Sequence, residues 1–332
     1  MLTRHPANPV LRHTDCPFPA TTVFNAGVAR FEGRYVMLFR NDHGRWGDPK
    51  FDGTNLGLAT SRDGVTWDVS PRPALDLEKA RPALSGLIPE RFGAAEIKRV
   101  YDPRITVVEG RVVLCFAVDT RHGILGAVAT TEDFERFEFH GVTTPDNRNL
   151  VVFPERIGGD YVRLERPFPS YGRGAAEAFD IWTSRSSDLR RWGDTRLLLG
   201  AEEVPFANCK IGPAAPPVRT RAGWLTTIHA VHKDPSRPLA GWEERPWCKT
   251  YHAGLMLLDA DDPSRVIGLM RRPLLAPEAP YEREGFRGDV IFPCGLLLDP
   301  SGEVRLYYGA ADTAVALATG HVDDLIAACE PI

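Results

Sequence analysis

Residues 101–119 read YDPRITVVEGRVVLCFAVD: an alternating apolar run, a Glu109-Gly110 turn and a second alternating run. Side chains that repeat every second residue line one face of a strand, and a short Gly-containing turn between two such runs closes an antiparallel hairpin. ILGAVATT (124–131) continues as a third strand, and the stretch around FERFEFHG (134–141) as a fourth.

Working outward, the same phrase recurs on both sides. Upstream, VFNAGVARF (23–31) and RYVMLFR (34–40) flank Glu32-Gly33, followed by LGLATS (56–61), the Asp63-Gly64 turn and VTWDV (65–69). Downstream, NLVVFPERIGGDYVRLERP (149–167) turns at Gly158-Gly159 and leads through FDIWTSRS (179–186) to DLRRWGD (188–194). A fourth unit runs from PAAPPVRTRAGWLTTIHAV (213–231) through YHAGLMLLDA (251–260) to SRVIGLMRRPLL (264–275), and a fifth joins VIFPCGLLLDPSGEVRLYYGAAD (290–312) to TAVALATGHV (313–322). Five meanders of about four strands predict an all-β, five-bladed β-propeller. A β-sandwich also has many short strands, but it does not explain why polar residues recur at the start of each unit's first strand. In a propeller those starts line a central funnel, so Asn25, Asp102, the group Asn147-Arg148-Asn149 and Lys210 are expected to converge there as an active site. No helical period of comparable length interrupts the pattern, and only the tail from Val322 to Ala328 reads as a short helix. The expected organisation is one propeller domain over 1–332 with a short N-terminal extension.

The chain has 332 residues, 43% hydrophobic and 25% charged, with 40 basic against 44 acidic side chains and a net charge of −4. That is ample material for a core, and it offers no overall attraction to nucleic acid or an anionic membrane, so an anion site must be local. The N-terminus lacks a signal-type apolar run and no uncharged stretch is long enough to span a bilayer, which predicts a cytoplasmic protein. The six cysteines are scattered without a metal or disulfide spacing and read as reduced thiols. His229 and His232 fall on opposite faces of a strand and do not form a metal pair.

Asp102 heads the second unit between Tyr101 and Pro103. Asp-Pro is common in turns, and the dipeptide alone favours that reading. At a funnel mouth the carboxyl is a candidate general acid, with Tyr101 as the apolar wall expected to raise its pKa. The basic set changes the balance: Arg148, Arg166, Lys210 and His229 stand at strand ends of the third and fourth units. One such cation is ordinary surface; four on neighbouring blades predict a shared anion pocket. Asn25, Arg40, Asp289 and Asp312 are polar residues in apolar strand contexts, suited to sugar hydroxyls; the alternative is that they satisfy blade-edge backbone groups, and for Asp289, after Arg287-Gly288, the two readings weigh equally. Tyr251 with Trp46, Trp242 and Trp247 is a candidate stacking platform, whereas Trp67, Trp182 and Trp192 belong to the repeated phrase and are expected in the core.

These residues resemble glycoside hydrolase family 130 from about Asn8 to the end. NPV (8–10) and VFNAG (23–27) look like that family's first blade, and YDPRIT (101–106) like the segment carrying its catalytic Asp, here Asp102. The resemblance implies phosphate ligands at Arg148 in DNRNLVVFPERI, Arg166 in YVRLERP, Lys210 in CKIGPAAPP and His229 in TTIHAV. It implies mannose contacts at Asn25, Arg40 and Asp312, and substrate contacts at Tyr101 and, on the acceptor side, Tyr251. The compact length and the Tyr before the Asp look like the mannooligosaccharide or mannosyl-N-acetylglucosamine branch. The implied activity is inverting phosphorolysis of a β-mannoside to α-mannose 1-phosphate, with Asp102 protonating the departing oxygen through the mannose 3-hydroxyl. Inorganic phosphate is then the co-substrate and no metal or other cofactor is needed. The implied partners are an oligosaccharide and phosphate, without nucleic acid or membrane, and a homo-oligomer is left open. A hydrolase of the same fold and a non-catalytic glycan-binding propeller are the alternatives. Two stretches are longer than the family pattern, NDHGRWGDPK after Arg40 and HKDPSRPLAGWEERPWCK before Tyr251.

Overall fold

The computed structural model describes residues 1–46, 51–88, 97–168, 179–236 and 248–332. A two-residue strand β1 (Thr3–Arg4) precedes a meander of β2 (Thr22–Phe31), β3 (Arg34–His43), β4 (Gly53–Ser61) and β5 (Asp68–Val69). After helix α1 (Leu77–Ser85) come β6 (Arg99–Val108), β7 (Arg111–Thr120), β8 (Gly123–Thr131) and β9 (Glu138–Val142). The third blade is β10 (Asn147–Val152), β11 (Tyr161–Pro167), β12 (Ile181–Ser186) and β13 (Gly193–Leu199). The fourth splits its first strand into β14 (Lys210–Pro213) and β15 (Val218–Thr220), followed by β16 (Gly223–Lys233), β17 (Lys249–Leu258) and β18 (Val266–Leu269). Helix α2 (Pro280–Arg283) leads to β19 (Ile291–Leu298), β20 (Glu303–Ala310) and β21 (Ala314–His321), and α3 (Val322–Ala327) and β22 (Glu330–Pro331) end the chain. These make five antiparallel sheets, the five-bladed propeller read from the repeats.

Alternation inside the strands holds the blades together. Val36 and Leu38 of β3 pack toward the second blade with Val100, Ile105 and Leu114. Met37 and Phe39 point the other way, to Tyr307, Val315 and Leu317 of the fifth. Val113 and Val128 meet Val152 and Tyr161 between blades two and three. Phe153 and Leu164 meet Trp224 and Ile228 between three and four, and Leu225 and Leu255 meet Ile291 and Leu306 between four and five. The inner strands of the blades are thus largely apolar on both faces, as for a sheet covered on two sides.

Four blades share a turn between third and fourth strands. Asp63 accepts the N–H groups of Val65 and Thr66 at 2.8 Å, and Asp133, Asp188 and Asp259 each accept two backbone N–H groups in the same way. These Asx turns satisfy turn amides that no ladder reaches. The fifth blade lacks one because its fourth strand is not next in sequence: β1 pairs with β21, Thr3 opposite Thr319, and closes the ring.

Three features depart from the sequence reading. Residues expected as an N-terminal extension instead supply the strand that completes blade five. Residues 77–85 are helical, started by Asp76, whose side chain accepts the Lys79 N–H at 2.9 Å, although Pro82 lies inside. Trp67, Trp182 and Trp192 are only half-buried, whereas Trp224, packed edge-on to Phe153, is fully buried. The tail helix falls where expected. No helix among the described residues is long and apolar enough to cross a membrane.

Candidate active site

The first strands of blades one, two and three carry the same irregularity. The β2–β3 register slips between Phe24 and Gly27, β6–β7 between Tyr101 and Arg104, and β10–β11 between Arg148 and Val151. The residue opening each bulge is Asn25, Asp102 or Asn149, with φ of 49°, 55° and 60°. Asn and Asp tolerate this left-handed region better than other side chains with a Cβ, and a bulge re-aims the side chain it holds. Here it aims three Asx side chains at the axis. The residues paired with Phe24 and Arg148 on the neighbouring strands are Arg40 and Arg166, so two arginines enter at matching positions.

These groups meet in a cavity of about 310 Å³, lined among others by Asn25, Arg40, Tyr101, Asp102, Arg148, Arg166, Lys210, Tyr251 and Asp312. The described structure therefore brings nine of the ten expected site residues to one wall. The tenth, His229, lies inside β16 and is fully buried behind that wall, stacked on Phe292 at 4.6 Å. Arg166 Nη1 donates to its Nε2 at 3.1 Å, which puts the imidazole proton on Nδ1. Burial, then Arg166 and Lys210, push its pKa well below the usual value, so it is neutral. Asp289 is not on the wall; its backbone carbonyl accepts the Tyr251 N–H at 3.0 Å. Trp46 is half exposed and packs edge-on to Phe286, while Trp242 and Trp247 lie outside the described residues, as do 47–50 and 237–247 of the two long stretches.

One side of the cavity holds the carboxylates. Asn25 Nδ2 donates to Asp102 Oδ1 at 2.9 Å, and Arg40 Nη1 stands 3.3 Å from the same oxygen while its Nη2 grips Asp42 at 2.7 Å. Burial acts to raise the Asp102 pKa, but Arg40, Arg104, the Asn25 hydrogen bond and Arg148 outweigh it and leave the carboxyl below its ordinary value. This reverses the sequence expectation: Tyr101 is no bare apolar wall, because its ring lies 4.9 Å from the Arg40 guanidinium and its hydroxyl bonds Asp119 and Arg148. Asp312 is the carboxyl pushed up, to about 6, by burial above all, against the pull of Arg287 and Arg40.

The opposite side holds cations without carboxylate partners. Among the described residues Arg148, Arg166 and Lys210 make no ion pair, and Arg148 Nε, Arg166 Nε and Arg166 Nη2 are buried with no hydrogen-bond acceptor. Burial and Arg148 bring the Arg166 pKa down to about 9, and burial with both arginines lowers Lys210 well below its usual value. Buried donors are almost always satisfied, and buried like charges crowd together only at a cost. A tetrahedral oxyanion offers the acceptors and charge this arrangement lacks.

A family model described as beta-1,4-mannooligosaccharide phosphorylase, glycoside hydrolase family 130, matches residues 4–331. The chain belongs to glycoside hydrolase family 130. It is thereby an enzyme of the glycoside phosphorylase type. A β-1,4-mannooligosaccharide phosphorylase of Ruminococcus albus is 31% identical over 335 residues, spanning 98% of this chain and 90% of that one. A β-1,2-mannobiose phosphorylase of Listeria innocua is 33% identical over 263 residues, 79% of this chain but 64% of the relative's own length. A solved structure of the Listeria innocua β-1,2-mannobiose phosphorylase with β-1,2-mannobiose superimposes with a TM-score of 0.80 at 26% identity, covering 98% of both chains.

In this family 130 enzyme the sequence reading passed over several wall residues, Arg99, Phe286 and Arg287, whereas Asn149, expected at the funnel with Arg148, is on the wall. It also passed over Asp119, which accepts the Tyr101 hydroxyl at 2.7 Å and the Arg99 Nε–H at 2.8 Å. Asn149 carries a further signal. An Asx residue one place after the wall residue recurs in VFN, VYD and NRN, and aligning the three first strands on it separates Asn149 from its neighbours. Arg287 had none, since it stands in the irregular link between α2 and β19.

Proposed function

We propose that this chain is an inverting β-mannoside phosphorylase of the β-1,4-mannooligosaccharide or mannosyl-N-acetylglucosamine type. The observation that carries the reading is the division of one cavity into a side with Asp102 and a side with three cations, Arg166 and Lys210 buried and Arg148 half-buried, that lack carboxylate partners among the described residues. An inverting hydrolase needs a second carboxylate to activate water on the face opposite the leaving group. Phosphate is already an anionic nucleophile, so cations that bind and align it replace that base. Arg148, Arg166 and Lys210 are assigned to the phosphate, and His229 to holding Arg166 in place.

Asn25, Arg40 and Asp312 are assigned to the mannose hydroxyls, and Tyr101 and Tyr251 to the boundary between sugar and phosphate. A phosphate oxygen forms the new bond to C1 as the glycosidic C1–O bond breaks. Asp102 gives its proton to the departing oxygen, through the mannose 3-hydroxyl as relay, and the proton of hydrogen phosphate restores it. Charge balance supports this sequence: bound phosphate offsets Arg148, one of the cations that hold Asp102 ionised, and so shifts the carboxyl toward its acid form. The reading includes no metal and no cofactor beyond the phosphate co-substrate. The β-1,4 preference is supported by the family description and by the near full-length match to the Ruminococcus albus enzyme.

The test is incubation with β-1,4-mannobiose, mannosyl-N-acetylglucosamine and β-1,2-mannobiose, with and without phosphate, assaying α-mannose 1-phosphate and free mannose separately. Phosphate-dependent α-mannose 1-phosphate from the first two is expected. Free mannose at the same rate without phosphate would sink the reading, and preference for the β-1,2 disaccharide would correct its substrate.

A further inference from the structure

Glu282, in α2, is fully buried and outside the cavity wall, yet five donors converge on its carboxylate. Arg4 supplies two, Nε to Oε1 at 2.7 Å and Nη2 to Oε2 at 2.9 Å. The Tyr308 hydroxyl of β20 supplies a third at 2.7 Å, and the backbone N–H groups of Glu278 and Ala279 two more at 2.7 and 2.9 Å. Charge-assisted bonds of this number in a dry site fix a carboxylate's orientation, and a forked Arg pair adds direction that a Lys lacks. Arg4 is in β1, the strand that closes the ring.

The backbone of the same residue ties down the far side of the link. Val290 N–H donates to the Glu282 carbonyl at 3.1 Å, and Ala311 N–H to the Val290 carbonyl at 2.9 Å. Arg287 N–H reaches the Ala311 carbonyl at 3.1 Å and Phe286 N–H the Thr313 hydroxyl at 2.7 Å. Between these ties the chain passes along the cavity mouth and contributes Phe286, Arg287 and Val290 to its wall, with Arg287 Nε 3.9 Å from Asp312. The cations assigned to phosphate stand on blades three and four, and the link meets blade four where the Asp289 carbonyl accepts the Tyr251 N–H at 3.0 Å.

We propose that Arg4 and Glu282 are positioning residues for the sugar side of the site: the ion pair that closes the ring also holds the 284–290 link, and with it Arg287 and Phe286, against Asp312. The N-terminal strand then acts on sugar binding and not on phosphate binding. Without Arg4 the buried Glu282 carboxylate loses the one cation paired with it among the described residues, turns toward water or takes a proton, and releases the Glu278 and Ala279 amides. The link loses its anchor at the α2 end, and the wall residues it carries move.

The inference rests on the phosphorylase reading, and two measurements on the full chain keep them apart. In Arg4→Ala, assayed well below its melting temperature, the KM for the mannoside is expected to rise about fivefold or more with the phosphate KM unchanged, because misplacement of a positioning wall acts on the ligand it touches. Arg4→Lys restores part of the loss, and Tyr308→Phe, which removes one donor and leaves the ion pair, gives a smaller rise in the same constant. Hydrogen exchange at the amides of Phe286, Arg287 and Val290 is expected to accelerate in Arg4→Ala while blade three stays protected. A variant that melts earlier but keeps both KM values and the exchange of 284–290 would overturn the proposal, showing the pair to be a structural clasp only. If the wild-type chain makes no α-mannose 1-phosphate, the phosphorylase reading fails, and the exchange experiment still decides whether Arg4 anchors the link.

Discussion

In the proposed mechanism Asp102 has to be protonated to act as the acid, yet Asn25, Arg40, Arg104 and Arg148 all favour its charged form in the free protein. The two facts agree if the acid is made in the ternary complex, when phosphate charge offsets the cations and the sugar covers the carboxyl. Asp102→Asn keeps the acceptor for Asn25 and the size of the side chain, so the fold is expected to persist while the rate falls by about 10²–10⁴-fold, the usual worth of a positioned acid. Turnover with circular dichroism on the same sample checks this, and near-normal turnover removes Asp102 from the mechanism. Asp312 gives the pH test. Its folded pKa of about 6 lies above the unfolded value, so its contribution to stability is fully present below the unfolded pKa and is lost as pH rises through about 6. The loss is on the order of 3 kcal/mol between pH 4 and pH 7. Asp312→Asn is expected to abolish that part of the pH dependence, and to be the more stable protein at pH 7.5 while binding mannoside worse. Denaturant titration at both pH values checks it; parallel curves for the two proteins would mean that Asp312 does not carry the strain.

At the scale of the strands, the bulges bring one blade's backbone against the next. A Cβ on Gly27 would come within 2.8 Å of the Ile105 nitrogen and 3.0 Å of the Arg104 Cα and the Pro103 oxygen. These are backbone atoms that cannot swing aside. Gly27→Ala is expected to cost about 1–3 kcal/mol by overpacking and to lower the rate as well, because the atoms it pushes are those that follow Asp102. A denaturation midpoint and an activity assay decide this, and an unchanged midpoint would mean that the two first strands can part freely. Such contacts show what a sequence can and cannot carry. Hairpins such as 101–119 were legible because alternation and a Gly turn are local. The convergence of Asn25, Asp102, Arg148 and Lys210 followed from the repeat, since equivalent positions in a ring face the same axis. Strand β1 was not legible: two residues have no period, and its partner β21 lies about three hundred residues away. Helix α1 was hidden by Pro82, and sequence cannot show that His229 is fully buried with Arg166 donating to its Nε2.

For the molecule as a whole, a net charge of −4 hides a local excess of the other sign. Arg166 and Lys210 are buried beside the half-buried Arg148 with no carboxylate partner among the described residues, and the lowered pKa values of Arg166 and Lys210 express the cost of keeping them charged there. The propeller can hold such a cluster because the five apolar interfaces between blades fix the ring independently of the axis. A ligand that supplies the missing charge therefore stabilises the folded state by RT ln(1 + [L]/Kd), about 2.7 kcal/mol at a hundredfold excess over Kd. Phosphate is expected to raise the melting temperature by several degrees, and more than chloride at equal ionic strength. Lys210→Met makes the distinction sharp: it removes a charge the free protein holds at a cost, so it is expected to melt at or above the wild type without phosphate and to gain less when phosphate is added. A variant that melts earlier and keeps the full phosphate response would place the anion elsewhere and leave Lys210 as a structural cation. The expected crossing, with the mutant ahead in plain buffer and the wild type ahead in phosphate, is the behaviour of a site whose instability is the counterpart of its affinity.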